Sequence, residues 1–152
     1  MRYRRRSLAV RVAIFCAVSV AGCGGGATAQ FKAGFSAAQR PLNRTFADVA
    51  TTFSQARGKS VKGIARSLDA LDVRFRKQLA PLEALKAPPA VAASFRTLTS
   101  SLKRVEGDLR AISAAVKHRD LLAAHQALGS LQSDAGAATN AAGTVAKKLD
   151  HK

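Results

Sequence analysis

Cys16 and Cys23, His118, His125 and His151, and the close acid pairs Asp69/Asp72 and Glu106/Asp108 are the residues of this chain whose types suit chemistry. A pair of carboxylates on one helical face can serve as general acid and base. Asp69 and Asp72 have that spacing, but Arg66 and Arg76 lie within one turn of them, so solvated helix salt bridges are expected instead. Glu106 and Asp108 are two residues apart and face different ways on a helix. The histidines and cysteines form no HExxH, paired ExxH, CxxC or CxxCH pattern, so zinc, di-iron and c-type haem sites lack their ligand spacing. The glycines form no phosphate-binding loop. The expectation is no enzyme, no catalytic residue, no metal and no dissociable cofactor. His125 is the one oddity: it falls four residues after Leu121 and three before Leu128, where a helical seam expects a hydrophobe. It is a candidate ligand or pH-sensitive switch in a core, against the plainer reading of a seam-edge histidine bonded to a neighbour. His118, between Lys117 and Arg119, reads as a solvated turn residue.

Cys23 invites a different chemistry. Arg2, Arg4, Arg5 and Arg6 form a basic start, and residues 12–20, VAIFCAVSV, form an uninterrupted apolar run like the core of a signal peptide. The run is far shorter than the ~20 apolar residues that cross a bilayer as a helix. The segment Val20-Ala21-Gly22-Cys23 that follows resembles the lipobox of bacterial lipoproteins, with Val20 where leucine is more frequent. The resemblance implies that the Cys23 thiol carries a diacylglycerol and a possible N-acyl chain, and that signal peptidase recognises Val20, Ala21 and Gly22 and cuts before the cysteine. Small residues let an extended backbone enter a peptidase cleft, and a thiol is what forms the thioether. The domain scheme is then a signal peptide over 1–22, a lipidated cysteine and flexible tether over 23–33, and a helical domain over 34–152. Arg5-Arg6-Ser7-Leu8 matches a twin-arginine signal only in part, so general secretory export is expected. The mature chain would be anchored by lipid at the cell membrane, facing outside the cytoplasm. Cys16 would be discarded and Cys23 blocked, which leaves no disulfide and no catalytic thiol.

Charge narrows the partners. Of 25 Lys and Arg, five precede Cys23, while all nine acids follow it, so the remainder holds 20 against nine and is strongly basic. Such a balance suits nucleic acid, but export argues against that partner. Anionic wall polymers, phospholipid headgroups or an acidic protein remain.

Periodicity predicts an all-α fold. Phe35, Leu42, Phe46, Val49 and Phe53 line one face of a first helix over about 41–57, with Phe31 as a possible addition and Gly58 as its stop. A second starts near Ser60, with Val61, Ile64, Leu68, Leu71, Phe75, Leu79 and Leu82 inward and Pro81, Pro88 and Pro89 around its end. Val91, Phe95, Leu98, Leu102, Val105, Leu109, Ile112 and Val116 alternate at spacings of 4 and 3, a heptad seam. The last helix runs over about 121–149 from an Asp120 cap, with Leu121, Leu128, Leu131, Ala135, Ala138, Ala142, Val145 and Leu149 inward. Four such helices with short links predict an antiparallel up-down-up-down bundle, expected as a monomer. Together with the Cys-Gly-Gly-Gly start, the proline link Ala87-Pro88-Pro89 and the turn Arg119-Asp120, this pattern resembles uncharacterised lipoproteins of high-GC Gram-positive bacteria. It implies a location and no reaction. Arg119 stands where glycine usually closes a helix, so the turn is strained there or breaks one residue earlier.

Two features remain. Gly129, Gly136 and Gly143 recur every seven residues, which predicts close approach of a neighbouring helix, or else a groove or a detachable helix. The links at one end of the bundle gather Arg57, Lys59, Lys62, Lys117 and Arg119 into a candidate polyanion-binding tip. Two functions of different class follow: a non-enzymatic membrane-anchored bundle that binds or scaffolds, and a small-ligand or lipid carrier with a pocket between helices. The uninterrupted seam of the third helix favours the first.

Overall fold

The structure, a computed structural model, describes residues 25–56 and 58–150, which form a bundle of four helices with no strand among them. These are α1 (Gly25–Ser54), α2 (Val61–Glu83), α3 (Pro89–His118) and α4 (Leu121–Asp150). The segment expected to be a signal peptide, with Val20, Ala21, Gly22 and Cys23, and Arg57 in the first link lie outside the described residues.

Local chemistry sets most boundaries. Ser60 caps α2, its Oγ accepting from the Gly63 N–H at 3.1 Å. Pro89 opens α3, where a missing N–H loses nothing. Gly58 takes a φ of 85° in the first link, a conformation glycine adopts without strain. At the α3–α4 turn, of the two alternatives, the break falls at Arg119 itself, which takes the left-handed conformation at φ 58°. Asp120 then caps α4, its Oδ1 accepting from the Ala123 N–H at 2.9 Å.

α1 departs from the expected pattern. Helix begins at Gly25, so residues 25–33, expected as tether, are helical, and Pro41 lies inside the helix rather than near its start. Proline there removes the N–H that would bond the Ala37 carbonyl, a loss of about 3 kcal/mol in a helix interior. Aromatic packing offsets it. Phe31 and Phe35 are almost fully buried, and the Phe31 ring meets Phe95 edge-on at 5.2 Å. Pro81 lies in the last turn of α2, and Pro88 and Pro89 follow it, so the prolines bracket the end of that helix as expected.

α3 is the central helix. From Val91 to Ile112 every seam residue named above is buried, and Val116 is half-buried. Close backbone packing joins α3 to α4, α2 to α3 and α1 to α2. Interhelical pairs run in consistent register: Asp69 meets Ser113 and Lys117, Arg76 meets Glu106, and Glu83 meets Lys103. Thr45 donates to Gln78 and Asp48 pairs with Arg74 between α1 and α2. Arg104 pairs with Asp134, and Lys148 donates to Ser94, between α3 and α4.

Two expected inward residues are corrected. Leu121 is 84% exposed and Val61 is 42% exposed. Phe53, near the end of α1, lines the same cleft as Leu128, so the first turn of α4 projects past the helical part of α1. The remaining α4 seam positions are buried or half-buried, as the spacing predicts.

Candidate functional site

Asp69, Asp72 and Glu106 are held in ion pairs. Asp72 is buried, with Arg76 Nη2 at 2.5 Å from its Oδ2 and Arg110 Nε at 3.6 Å from its Oδ1. The same two guanidiniums reach Glu106, Arg76 at 3.3 Å and Arg110 at 2.7 Å. Each carboxylate is therefore paired with cations, and the Arg76–Glu106 and Arg110–Asp72 pairs tie α2 to α3. Asp69 pairs with Lys117 and Ser113 of α3 rather than with Arg66. Those bonds hold its carboxyl below the ordinary range. Glu106 and Asp108 face different ways, as their spacing requires. The pair that spacing along one helix could not reveal is Asp108 with Asp134 of α4: burial, and then the Asp134 charge, push the Asp108 carboxyl up, with Arg104 opposing.

Other candidates move outward. His125 is exposed rather than in a core seam, because the first turns of α4 lie beyond α1. Gly129, Gly136 and Gly143 are also exposed, and a Cβ on any of them would meet nothing within 4 Å, so no neighbouring helix approaches them. At the basic end, Lys117 is engaged by Asp69, whereas Lys59, Lys62 and Arg119 are exposed and have no carboxylate partner among the described residues. No group of three or more His, Cys, Asp or Glu side chains among the described residues is placed to hold a metal.

The site that stands out is the seam between α1 and α4. Their backbones, unlike those of the sequential pairs α1–α2, α2–α3 and α3–α4, do not pack closely. The reason is residue size. α4 presents Ala135, Ala138 and Ala142 inward, which lets it sit tight on α3 and leaves space against the middle of α1, while the Lys32–Asp150 ion pair at 2.6 Å ties the two helices at one end. A cleft of about 300 Å³ opens there, walled by Phe35, Leu42 and Phe46 of α1 and by Ala138, Ala142 and Gly143 of α4, with Leu98 and Leu102 of α3 beneath. A second, of about 370 Å³, continues beyond Phe46 between Val49 and Phe53 on one wall and Leu128, Leu131 and Ala135 on the other.

No charged side chain lines either cleft. Their polar lining is Gln39, Asn43, Thr139 and Gln132, neutral groups that bond without demanding a counter-charge. In a chain with 22% charged residues, two neighbouring clefts that share Phe46 are thus lined without charge. Their size matches the lower range of ligand pockets, ~300 Å³ upward.

No family model matches this chain, and no curated protein or solved structure matches it.

The cleft joins residues read separately from the sequence. Phe35, Leu42, Phe46 and Phe53 belong to the core or pack against it, as expected, and also form one wall of the opening; of the readings of the glycine repeat, close approach does not hold, and Gly143 lies on the other wall of the cleft. The uninterrupted α3 seam, which argued against a pocket, is the floor. The legible signal was the row of alanines on α4 opposite phenylalanines on α1.

Proposed function

We propose that this protein is an extracytoplasmic, membrane-anchored lipoprotein, without enzymatic activity, whose helical bundle carries an apolar ligand such as a lipid acyl chain in the α1–α4 seam. The observation that carries the ligand reading is the uncharged, phenylalanine-walled trough between two helices that do not close on each other. An acyl chain needs length, apolar walls and no counter-charge, and neutral amides at the rim suit an ester or carboxyl end. The carrier reading thus overtakes scaffolding, for which the fold offers no comparable feature. The sense of the interhelical pairs supports an up-down-up-down order, with Gly25 at one end and the α3–α4 turn at the other.

The anchor rests on residues 1–23: the basic start, the short apolar run and Val20-Ala21-Gly22-Cys23. Two or three acyl chains on Cys23 would give stable attachment where one is marginal. Among the described residues no helix is long and apolar enough to cross a membrane. Cys23→Ser is expected to leave uncleaved precursor or to release soluble protein. A cleaved Ser variant that still fractionates wholly with membranes would overturn the lipobox reading.

The ligand reading is tested by native mass spectrometry of the purified protein and by titration with cis-parinaric acid. A co-purifying lipid, or saturable fluorescence enhancement, is expected. Gly143→Leu adds a side chain at the mouth where a Cβ meets open space, so it should leave the fold intact and abolish the enhancement. Equal titration of both proteins would remove the seam as the binding site and return scaffolding to first place.

A further inference from the structure

Leu121 and Leu122 are 84% and 69% exposed, adjacent, and at the first turn of α4. Among the described residues they are, with Val61 and Val73, the large hydrophobic side chains left in solvent. Val61 belongs to the same end of the bundle: Asp69, two turns into α2, is held by Lys117 near the end of α3, so the start of α2 lies beside the α3–α4 turn. Around this apolar group stand Lys59, Lys62, His118 and Arg119, all exposed and with no carboxylate partner among the described residues. The local acid, Asp120, is occupied in capping α4. The left-handed turn at Arg119 holds a basic side chain immediately before two leucines that the bundle does not bury.

We infer that this end of the bundle is a contact surface for an anionic lipid bilayer, with Leu121 and Leu122 entering the headgroup region and Lys59, Lys62 and Arg119 meeting lipid phosphates. The combination selects the partner. A hydrophilic wall polymer would use the cations and leave the leucines unexplained. An interfacial anchor uses both, since apolar burial and attraction to anionic lipid add. The two clefts of the α1–α4 seam are lined by other residues, so this surface is separate from the proposed ligand site. The contact does not depend on the anchor at Cys23 or on the seam ligand. Gly25 lies at the far end of α1, a helix of 30 residues and hence ~45 Å long, so a chain tethered there would present this end to a second bilayer.

The test uses residues 24–152, which hold no cysteine and omit the basic and apolar segment 1–22 that would bind anionic vesicles by itself, with Leu122→Cys as the single thiol, labelled with an NBD fluorophore. A companion carries the label at Ala90→Cys, exposed in the first turn of α3 at the opposite end. Vesicles of phosphatidylcholine alone and with 30% phosphatidylglycerol are titrated at low salt. The expected result is a blue shift at position 122 with phosphatidylglycerol vesicles, absent with phosphatidylcholine and absent at position 90. Lys59→Gln with Lys62→Gln and Arg119→Gln should weaken it by about tenfold or more, and Leu121→Ser should weaken it with all charges kept. Far-UV circular dichroism checks that each variant is folded. The inference is overturned by no shift at position 122, by equal shifts at positions 122 and 90, or by vesicle binding that Leu121→Ser leaves unchanged. Binding of soluble poly(glycerol phosphate) without any vesicle shift would assign the surface to a polymer instead.

Discussion

Arg119 holds a left-handed backbone conformation at φ 58°, and it is the non-glycine residue to do so among those described. A Cβ in that region costs roughly 1 kcal/mol, so Arg119→Gly should stabilise the fold by about that much in urea denaturation. The helical glycines work in the opposite sense. Gly129 and Gly136 face open solvent, and alanine there should add ~0.5–1 kcal/mol each by restricting the unfolded chain. Asp108 gives a pH signature. Its carboxyl is raised in the folded state by burial and by Asp134. The folded state therefore favours its proton, and the associated stability is present below the unfolded carboxylate range (about 4) and lost as pH rises through the folded value. Asp108→Asn should raise the melting temperature at pH 7, with the gain shrinking to nothing as pH falls below about 4. Asp69, lowered by Lys117 and Ser113, has the reverse sign: its contribution is lost as pH falls. A gain for Asp108→Asn that persisted at acid pH would point to packing rather than charge.

Elements here are held by what they bury. The start of α1 contains Gly25, Gly26 and Gly34, poor helix formers, yet it is helical because Phe31 and Phe35 pack on Phe95. Phe31→Ala should cost ~3–5 kcal/mol and should release fast hydrogen exchange over residues 27–33. A tether would show neither effect. In α3, Leu109 is fully buried at the centre of the bundle, and Leu109→Ala should cost ~2–5 kcal/mol. Val73→Ala, on the exposed face of α2, should change stability by less than ~0.5 kcal/mol.

At the scale of the whole molecule, three helix–helix contacts are closed and one is open. Large residues on α1 oppose small ones on α4, so the trough is a consequence of unequal side chains, not of a missing element. A ligand seated there binds only the folded state. At a hundredfold excess over Kd it should therefore raise the unfolding free energy by about 2.7 kcal/mol. Gly143→Leu should remove that ligand-induced gain while keeping the unliganded stability, measurable as melting curves with and without cis-parinaric acid.

The four helices, their order, the α3 seam and the Ser60 and Asp120 caps could be read in the sequence, because heptad spacing and capping are local patterns that packing here reinforces. The proposed lipobox, residues 20–23, rests on sequence alone. What tertiary structure decided is where the periodic faces find a neighbour. Leu121 and His125 keep the helical period of α4, but α1 ends before it can cover them. Pro41 and the early glycines argue locally against helix, and aromatic burial outweighs them. The glycine repeat says that a face is thin without saying whether anything fills the space. Periodicity states which residues of one helix share a side; whether the opposite wall is near or far depends on the side chains of another helix, and opposite Phe35, Leu42 and Phe46 those are the small residues Ala138, Ala142 and Gly143.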